Sequence, residues 1–216
     1  AAAVVKAGVY LLIRFSTIFH YVAVWNWLLI VVGMGTAVMS AVFAVQKTDL
    51  KKLTAYSTVS HLGWIVATIG VGTPFAIAAA LVHTLAHALF KSSLFMLIGV
   101  IDHEAGSRDI RRLGPLWNKM PWTFGSVVIG AASMAAVPPL LGFVSKEGML
   151  TAFEDAPIGG TGQVILLIVA AIGAFFTFTY SAKIVFGAFF DGPRDMGHVH
   201  EAPVSLWLPA ALPGFM

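Results

Sequence analysis

Long apolar runs separated by short polar connections make up almost the entire chain. A bilayer core about 30 Å thick needs roughly 20 apolar residues in helical form. On that measure the pattern predicts a partial span over 1–15 and full spans over 22–45, 53–72, 74–101, 121–153 and 163–190. A further partial span begins at 205 and runs to 216. Span 121–153 is interrupted near 138–142. The runs are too long and too free of polar alternation for the strands of an outer-membrane barrel. The expected fold class is therefore an all-α integral membrane protein, one transmembrane domain over 1–216 built as a multi-span helical bundle with a Pro-broken helix. Both ends read as cuts through apolar segments, so a fragment of a longer protein is expected.

The connections set the expected orientation. Lys47, Lys51 and Lys52 lie in the loop 46–52, and Arg108, Arg111, Arg112 and Lys119 in the loop 102–120. The intervening connections GVGTP and EDAPIGGTG carry no Lys or Arg. Strict alternation of this kind places the two basic loops on the cytoplasmic side, with Arg14 the one residue against the pattern. Composition agrees: 58% of residues are apolar, only 11% are charged, and the mean hydropathy is +0.87, against about 25% charged in a soluble domain. The formal charge of +3 is spread over short loops and apolar runs, which excludes a nucleic-acid face. The sequence holds no Cys, and so neither disulfides nor thiolate metal sites.

Against this background a few ionisable residues stand where they are costly, at about 2.5–3.5 kcal/mol each at the bilayer centre. His83, His87 and Lys91 lie in LVHTLAHALFKSSLF at i, i+4 and i+8. Each is turned about 40° from the last, so they form one inclined stripe about 12 Å long. That is the geometry of a water-assisted proton relay. Hydrogen-bonded packing histidines are the plainer alternative. A zinc site is disfavoured, since HTLAH lacks the Glu of a metalloprotease motif and no third ligand is evident; neither a metal nor a cofactor is expected.

The interruption of span 121–153 comes from Pro138, Pro139 and Gly142 in AAVPPLLGFVSKEGML. Paired prolines remove two backbone donors and disfavour helix upstream. Broken helices at membrane depth recur at ion sites of transporters. Lys146 and Glu147 follow directly; a Pro kink used for packing, with that pair at the outer edge, is the alternative. Lys6 falls within the first apolar run. His61 reads equally as a side branch of the relay or a packed polar residue, and Lys183 as a side chain extending to the cytoplasmic interface. His20, His198 and His200 fall in or beside loops.

The runs KTDLKKLTAYSTVSHLGW, HTLAHALFKSSLFMLIG and GFVSKEGML, in this order, resemble the antiporter-like membrane subunits of Mrp-type multisubunit cation/proton antiporters, membrane-bound hydrogenases and respiratory complex I. The connection IDHEAGSRDIRRLGPL is most similar to the Mrp A subunit. The resemblance implies two inverted five-helix repeats, each supplying half of a proton path, with this chain covering the second. It places Lys6 on the lysine connecting the halves, His83, His87 and Lys91 on the central positions, and Lys146 on the broken helix toward the outside. His61, Glu147 and Lys183 are accessory candidates.

The same resemblance implies proton translocation exchanged for Na⁺, within a hetero-oligomeric complex of membrane subunits in a bacterial-type plasma membrane. This is transport rather than enzyme chemistry. The chain has no carboxylate cluster fit for an oxygen-rich sodium site, so the cation path is expected elsewhere. Two alternatives stay open: a proton-pumping subunit of complex I or a hydrogenase, and a membrane scaffold without transport.

Overall fold

The computed structural model describes residues 4–192 and 197–215. Among the described residues eight α-helices follow one another: α1 (Lys6–Phe19), α2 (Ala23–Gln46), α3 (Leu50–Val71), α4 (Pro74–Ala105), α5 (Pro121–Met134), α6 (Leu141–Glu154), α7 (Gly160–Phe189) and α8 (Val204–Ala211), with a 3₁₀ turn Leu212–Phe215. Three of them, α2, α4 and α7, are each long and apolar enough to cross a bilayer. Their exposed residues include Val24, Leu28, Val31, Ile165, Ile168, Phe175 and Phe178. An apolar exterior of this extent is what lipid contact requires and water forbids, and the chain is an integral membrane protein.

Helix ends coincide with capping chemistry. Gly72 closes α3 in the left-handed region, and Thr73 Oγ1 at once accepts the Ala76 N–H at 3.1 Å to open α4, with Pro74 in its first turn. A tight reversal results, and it sets α3 and α4 antiparallel. Helices α2 and α3 approach through glycines: a Cβ at Gly63 would lie 2.5 Å from the Gly33 carbonyl oxygen and 2.6 Å from the Ala37 nitrogen, both backbone atoms of α2.

The helix break lies earlier in the chain than the expected 138–142. Helix α5 stops at Met134 and α6 starts at Leu141, so the interruption covers 135–140 and Gly142 lies inside α6. Ala136 turns through a left-handed φ of 63°. Gly142 serves as a close-approach residue instead: any side chain there would collide with the Ser133 carbonyl of α5, and its N–H reaches the Ser133 hydroxyl at 3.3 Å. The two half-helices are thereby held against each other.

The two basic loops meet at one end of the bundle. Leu50 N–H donates to the Arg108 carbonyl at 2.9 Å and Ile110 N–H to the Thr48 carbonyl at 3.0 Å. Asp49 caps α3 by accepting from the N–H groups of Lys51 and Lys52, and its other oxygen pairs with Arg108 Nε at 2.8 Å. Burial pushes the Asp49 carboxyl up, but the Arg108 hydrogen bond, the Lys52 and Lys51 N–H groups and the Arg108 charge outweigh it, so its pKa falls below the usual range. Nearby, the Arg111 hydrogen bond brings Asp109 down to about 2.

A carboxylate with a lowered folded pKa contributes stability above its unfolded pKa and loses it as pH falls through the folded one. Asp49→Ala is expected to cost about 1–2 kcal/mol, the range for a lost N-cap. It will show as faster amide exchange at Leu50, Lys51 and Lys52 near neutral pH. The gap between wild type and variant closes in acid, below the ordinary aspartate range. A gap unchanged in acid would assign the effect to something other than the carboxylate charge.

Candidate functional site

The centre of the bundle holds an unusual set of buried polar side chains. His61 from α3, His83, His87 and Lys91 from α4, and Ser145 and Lys146 from α6 are each at most 5% exposed. None of them faces lipid. The α4 residues lie along one stripe, as their spacing predicts, because 3.6 residues per turn brings every fourth side chain to nearly the same face.

The hydrogen bonding crosses between helices rather than running along α4. His61 Nδ1 lies 3.0 Å from His83 Nε2, and His83 Nδ1 lies 2.9 Å from Ser145 Oγ. The His61 and His83 rings stack with centroids 5.3 Å apart and 25° between planes. His87 sits beside them, its ring 5.4 Å from that of His61. Both of its nitrogens, and Nε2 of His61, are buried without a protein hydrogen-bond partner.

Toward the end where the basic loops meet, Lys91 Nζ contacts Ser57 Oγ, the Thr54 carbonyl at 3.4 Å and Met134 Sδ at 3.1 Å. On the other side Lys146 Nζ lies 4.9 Å from the centre of the Trp64 ring, within cation–π distance. The α3 face turned to α4 and α6 thus carries Thr54, Ser57, His61 and Trp64, at i, i+3, i+7 and i+10.

The other candidates lie further out. Lys6 begins α1 and is partly buried. Glu147 is exposed and lies outside the cluster. Lys183 Nζ donates to the Val45 carbonyl at 2.6 Å, an open carbonyl at the C-terminal end of α2 next to loop 46–52. Pro138 and Pro139 lie in the break beyond Ser133, at the foot of α6. Among the described residues no group of three His, Asp or Glu is arranged to hold a metal ion. His200, which reads as a solvated loop residue, lies 3.4 Å from Glu104.

Spacing along α4 alone could not place His61 between its neighbours, nor bring Ser145 and Ser57 into the cluster. A signal was nonetheless present: Thr54, Ser57, His61 and Thr68 recur at near-heptad intervals along α3, the repeat of a face turned to another helix.

An arrangement of this kind can pass protons. Imidazole carries a donor and an acceptor at once, a hydroxyl can do both, and a lysine removed from water can release its proton. The chain is similar to several known proteins. The chain is 42% identical to the A subunit of the Na(+)/H(+) antiporter of Bacillus subtilis over 98% of its length, and covers 29% of that protein. It is also 42% identical to the A/B subunit of a probable K(+)/H(+) antiporter of Rhizobium meliloti, again over 98% of its length and 21% of the relative's. Among solved structures it matches a chain of the Mrp complex from Dietzia sp. DQ12-45-1b with a TM-score of 0.91 and 54% identity, over 99% of this chain and 23% of that one. A chain of an archaeal membrane-bound sulfane sulfur reductase matches with a TM-score of 0.80 and 30% identity, over 88% of this chain and 31% of that one. The chain thus spans less than a third of the length of each. The family described as NADH:quinone oxidoreductase/Mrp antiporter, TM, matches residues 1–177, more than half of the sequence, and the chain belongs to that family.

Proposed function

We propose that this chain forms a proton-conducting part of a multisubunit monovalent cation/proton antiporter, in a bacterial plasma membrane with loops 46–52 and 102–120 on the cytoplasmic side. The observation that carries the reading is the direct contact of two buried imidazoles, His61 and His83, continued to Ser145. A structural scaffold has no need to bury three histidines and two lysines at the centre of a bundle, where each is costly to desolvate.

Lys91, His87, the imidazole pair and Lys146 form successive stations. The remaining gaps lie at the unpartnered nitrogens of His87, where a water would complete the hydrogen bonding that buried polar atoms in proteins require. Lys6 links the path to the other half, which other parts of the full-length subunit supply. The prolines at 138 and 139 free backbone groups and let α6 present Ser145 and Lys146 to α3 and α4.

The names of the relatives divide between sodium and potassium as the exchanged ion. We take Na⁺, following the Bacillus relative, and place its path in another part of the complex. The full complex in everted vesicles tests the reading. Added Na⁺ is expected to collapse a preformed pH gradient, and His83→Ala to slow this by about 100-fold, in line with loss of a positioned proton-transfer group. Undiminished exchange in an assembled His83→Ala complex would leave only the scaffold. A response to K⁺ and not to Na⁺ would keep the relay and change the ion.

A further inference from the structure

The Ser145 hydroxyl joins the imidazole pair to the broken helix. Its oxygen is 2.9 Å from His83 Nδ1 and 3.1 Å from the Gly142 carbonyl oxygen, one turn back along α6. A hydroxyl has one hydrogen to give, and a carbonyl can only accept. With that hydrogen on Gly142, the contact to His83 is a bond only if His83 Nδ1 carries the hydrogen. His83 Nε2 is then the bare nitrogen, and His61 Nδ1 donates to it across 3.0 Å.

The chain of assignments ends at His61 Nε2, left as a lone pair. That is the nitrogen of His61 buried without a protein partner. The opposite assignment would place an N–H at the same spot. A buried donor without an acceptor is rarer in proteins than an under-used acceptor, so the first polarity is the resting one.

We infer that Ser145 is a relay residue, the hydroxyl that receives a proton from His83 and passes one on toward Lys146, and that the wire rests polarised from His61 through His83 and Ser145 to the Gly142 carbonyl. The inference rests on the proton-relay reading above. In one sense of transfer a proton binds His61 Nε2, and His61 Nδ1 gives its hydrogen to His83 Nε2. His83 Nδ1 gives its hydrogen to Ser145 Oγ, and the hydrogen first on Ser145 leaves through water to the neutral amine of Lys146. One proton has been taken up and one delivered, and no charge stays on the wire. The serine hydrogen then points back to His83. Because Gly142 offers a second acceptor, the hydroxyl can turn between the two without breaking the fold.

Ser145→Ala, Ser145→Thr and His83→Ala in the full antiporter complex, assayed for cation-driven proton exchange in everted vesicles, separate the possibilities. Ser145→Ala is expected to lower the rate about tenfold, less than the about 10²-fold or more that a positioned proton-transfer group supplies, because water can occupy part of the vacated space. Ser145→Thr keeps the hydroxyl and is expected to stay within about threefold of wild type, a rescue that a purely packing role would not produce. Wild-type rates in Ser145→Ala with His83→Ala inactive would overturn the serine's role and leave the relay standing. Wild-type rates in both would overturn the relay itself. Nitrogen-15 NMR of histidine-labelled wild-type complex, with the His83 signal assigned through its loss in His83→Ala, gives a readout that needs no active variant. Hydrogen on His83 Nδ1 is expected; hydrogen on Nε2 at rest would overturn the polarity.

Discussion

Lys91→Met in the full-length subunit is expected to abolish cation/proton exchange, by about 100-fold or more, while the complex still assembles. The structure explains why the two effects separate. Lys91 is completely buried, and its ammonium is held by Ser57 Oγ, the Thr54 carbonyl and Met134. Methionine fills nearly the same volume, and swaps that conserve volume cost less than about 1.5 kcal/mol. Little is left unpaired, since the Thr54 carbonyl keeps the hydroxyls of Ser57 at 2.9 Å and Thr58 at 3.0 Å. Replacing a buried charge by an apolar side chain is often neutral for stability. What methionine lacks is a proton to carry.

Lys91→Arg sharpens the test. Arginine keeps the positive charge but cannot release its proton in a protein. A carrier role therefore predicts that this variant is as inactive as Lys91→Met. If Lys91 only supplied a fixed charge, the arginine variant would regain exchange. Undiminished exchange in both, with intact assembly, would return the chain to the scaffold reading. Vesicle exchange and yield of purified complex, measured together, give the answer.

Gly63→Val is expected to cause the largest loss of stability. The Cβ that valine adds would meet the Gly33 carbonyl oxygen at 2.5 Å and the Ala37 nitrogen at 2.6 Å. These are backbone atoms of a neighbouring helix, which cannot turn aside as a side chain can. Overpacking usually costs about 1–3 kcal/mol, and a backbone obstruction belongs at or above the top of that range. The consequence extends to the site, because Gly63 lies between His61 and Trp64. Moving α3 off α2 shifts His61 relative to His83 and lengthens the 3.0 Å contact.

Purified Gly63→Val complex should accordingly melt at lower temperature and exchange slowly even where it assembles. Gly125→Ala is the matched control. Its Cβ meets nothing within 4 Å, and alanine is the better helix former by about 1 kcal/mol. It should be neutral or slightly stabilising. Equal melting temperatures for Gly63→Val and wild type would show that α2 and α3 can separate without penalty, contrary to the close backbone approach at Gly33 and Gly63.

Legibility in the sequence differs from residue to residue. The stripe of His83, His87 and Lys91 is readable because all three share one helix, and helical periodicity alone puts them on one face. The break can be located only to within a few residues. Pro138 and Pro139 signal an interruption, but Gly142 reads as part of it and is not. A glycine that ends a helix and one that lets another backbone come close look alike in a sequence; the Ser133 carbonyl against Gly142 distinguishes them. Nothing in the segment around Lys183 reveals that its amine donates to the Val45 carbonyl, 138 residues earlier. His61 is undecided in the sequence for a similar reason. Its partner is 22 residues away on an antiparallel helix, and the pairing depends on the register set by the reversal at Gly72 and Thr73.

Solvent and topology are already written into the chain. Apolar runs of bilayer length force helices, because backbone groups in hydrocarbon must be satisfied within their own segment, and the alternation of basic loops orders them. The same runs mark which residues are costly enough to need a purpose. Which of those residues meet is settled in three dimensions. Hydrogen bonds between side chains of different helices depend on crossing distance and register to a fraction of an ångström. Those are fixed by close contacts such as Gly33 with Gly63 and Gly142 with Ser133, summed over the whole bundle, and no local pattern encodes them.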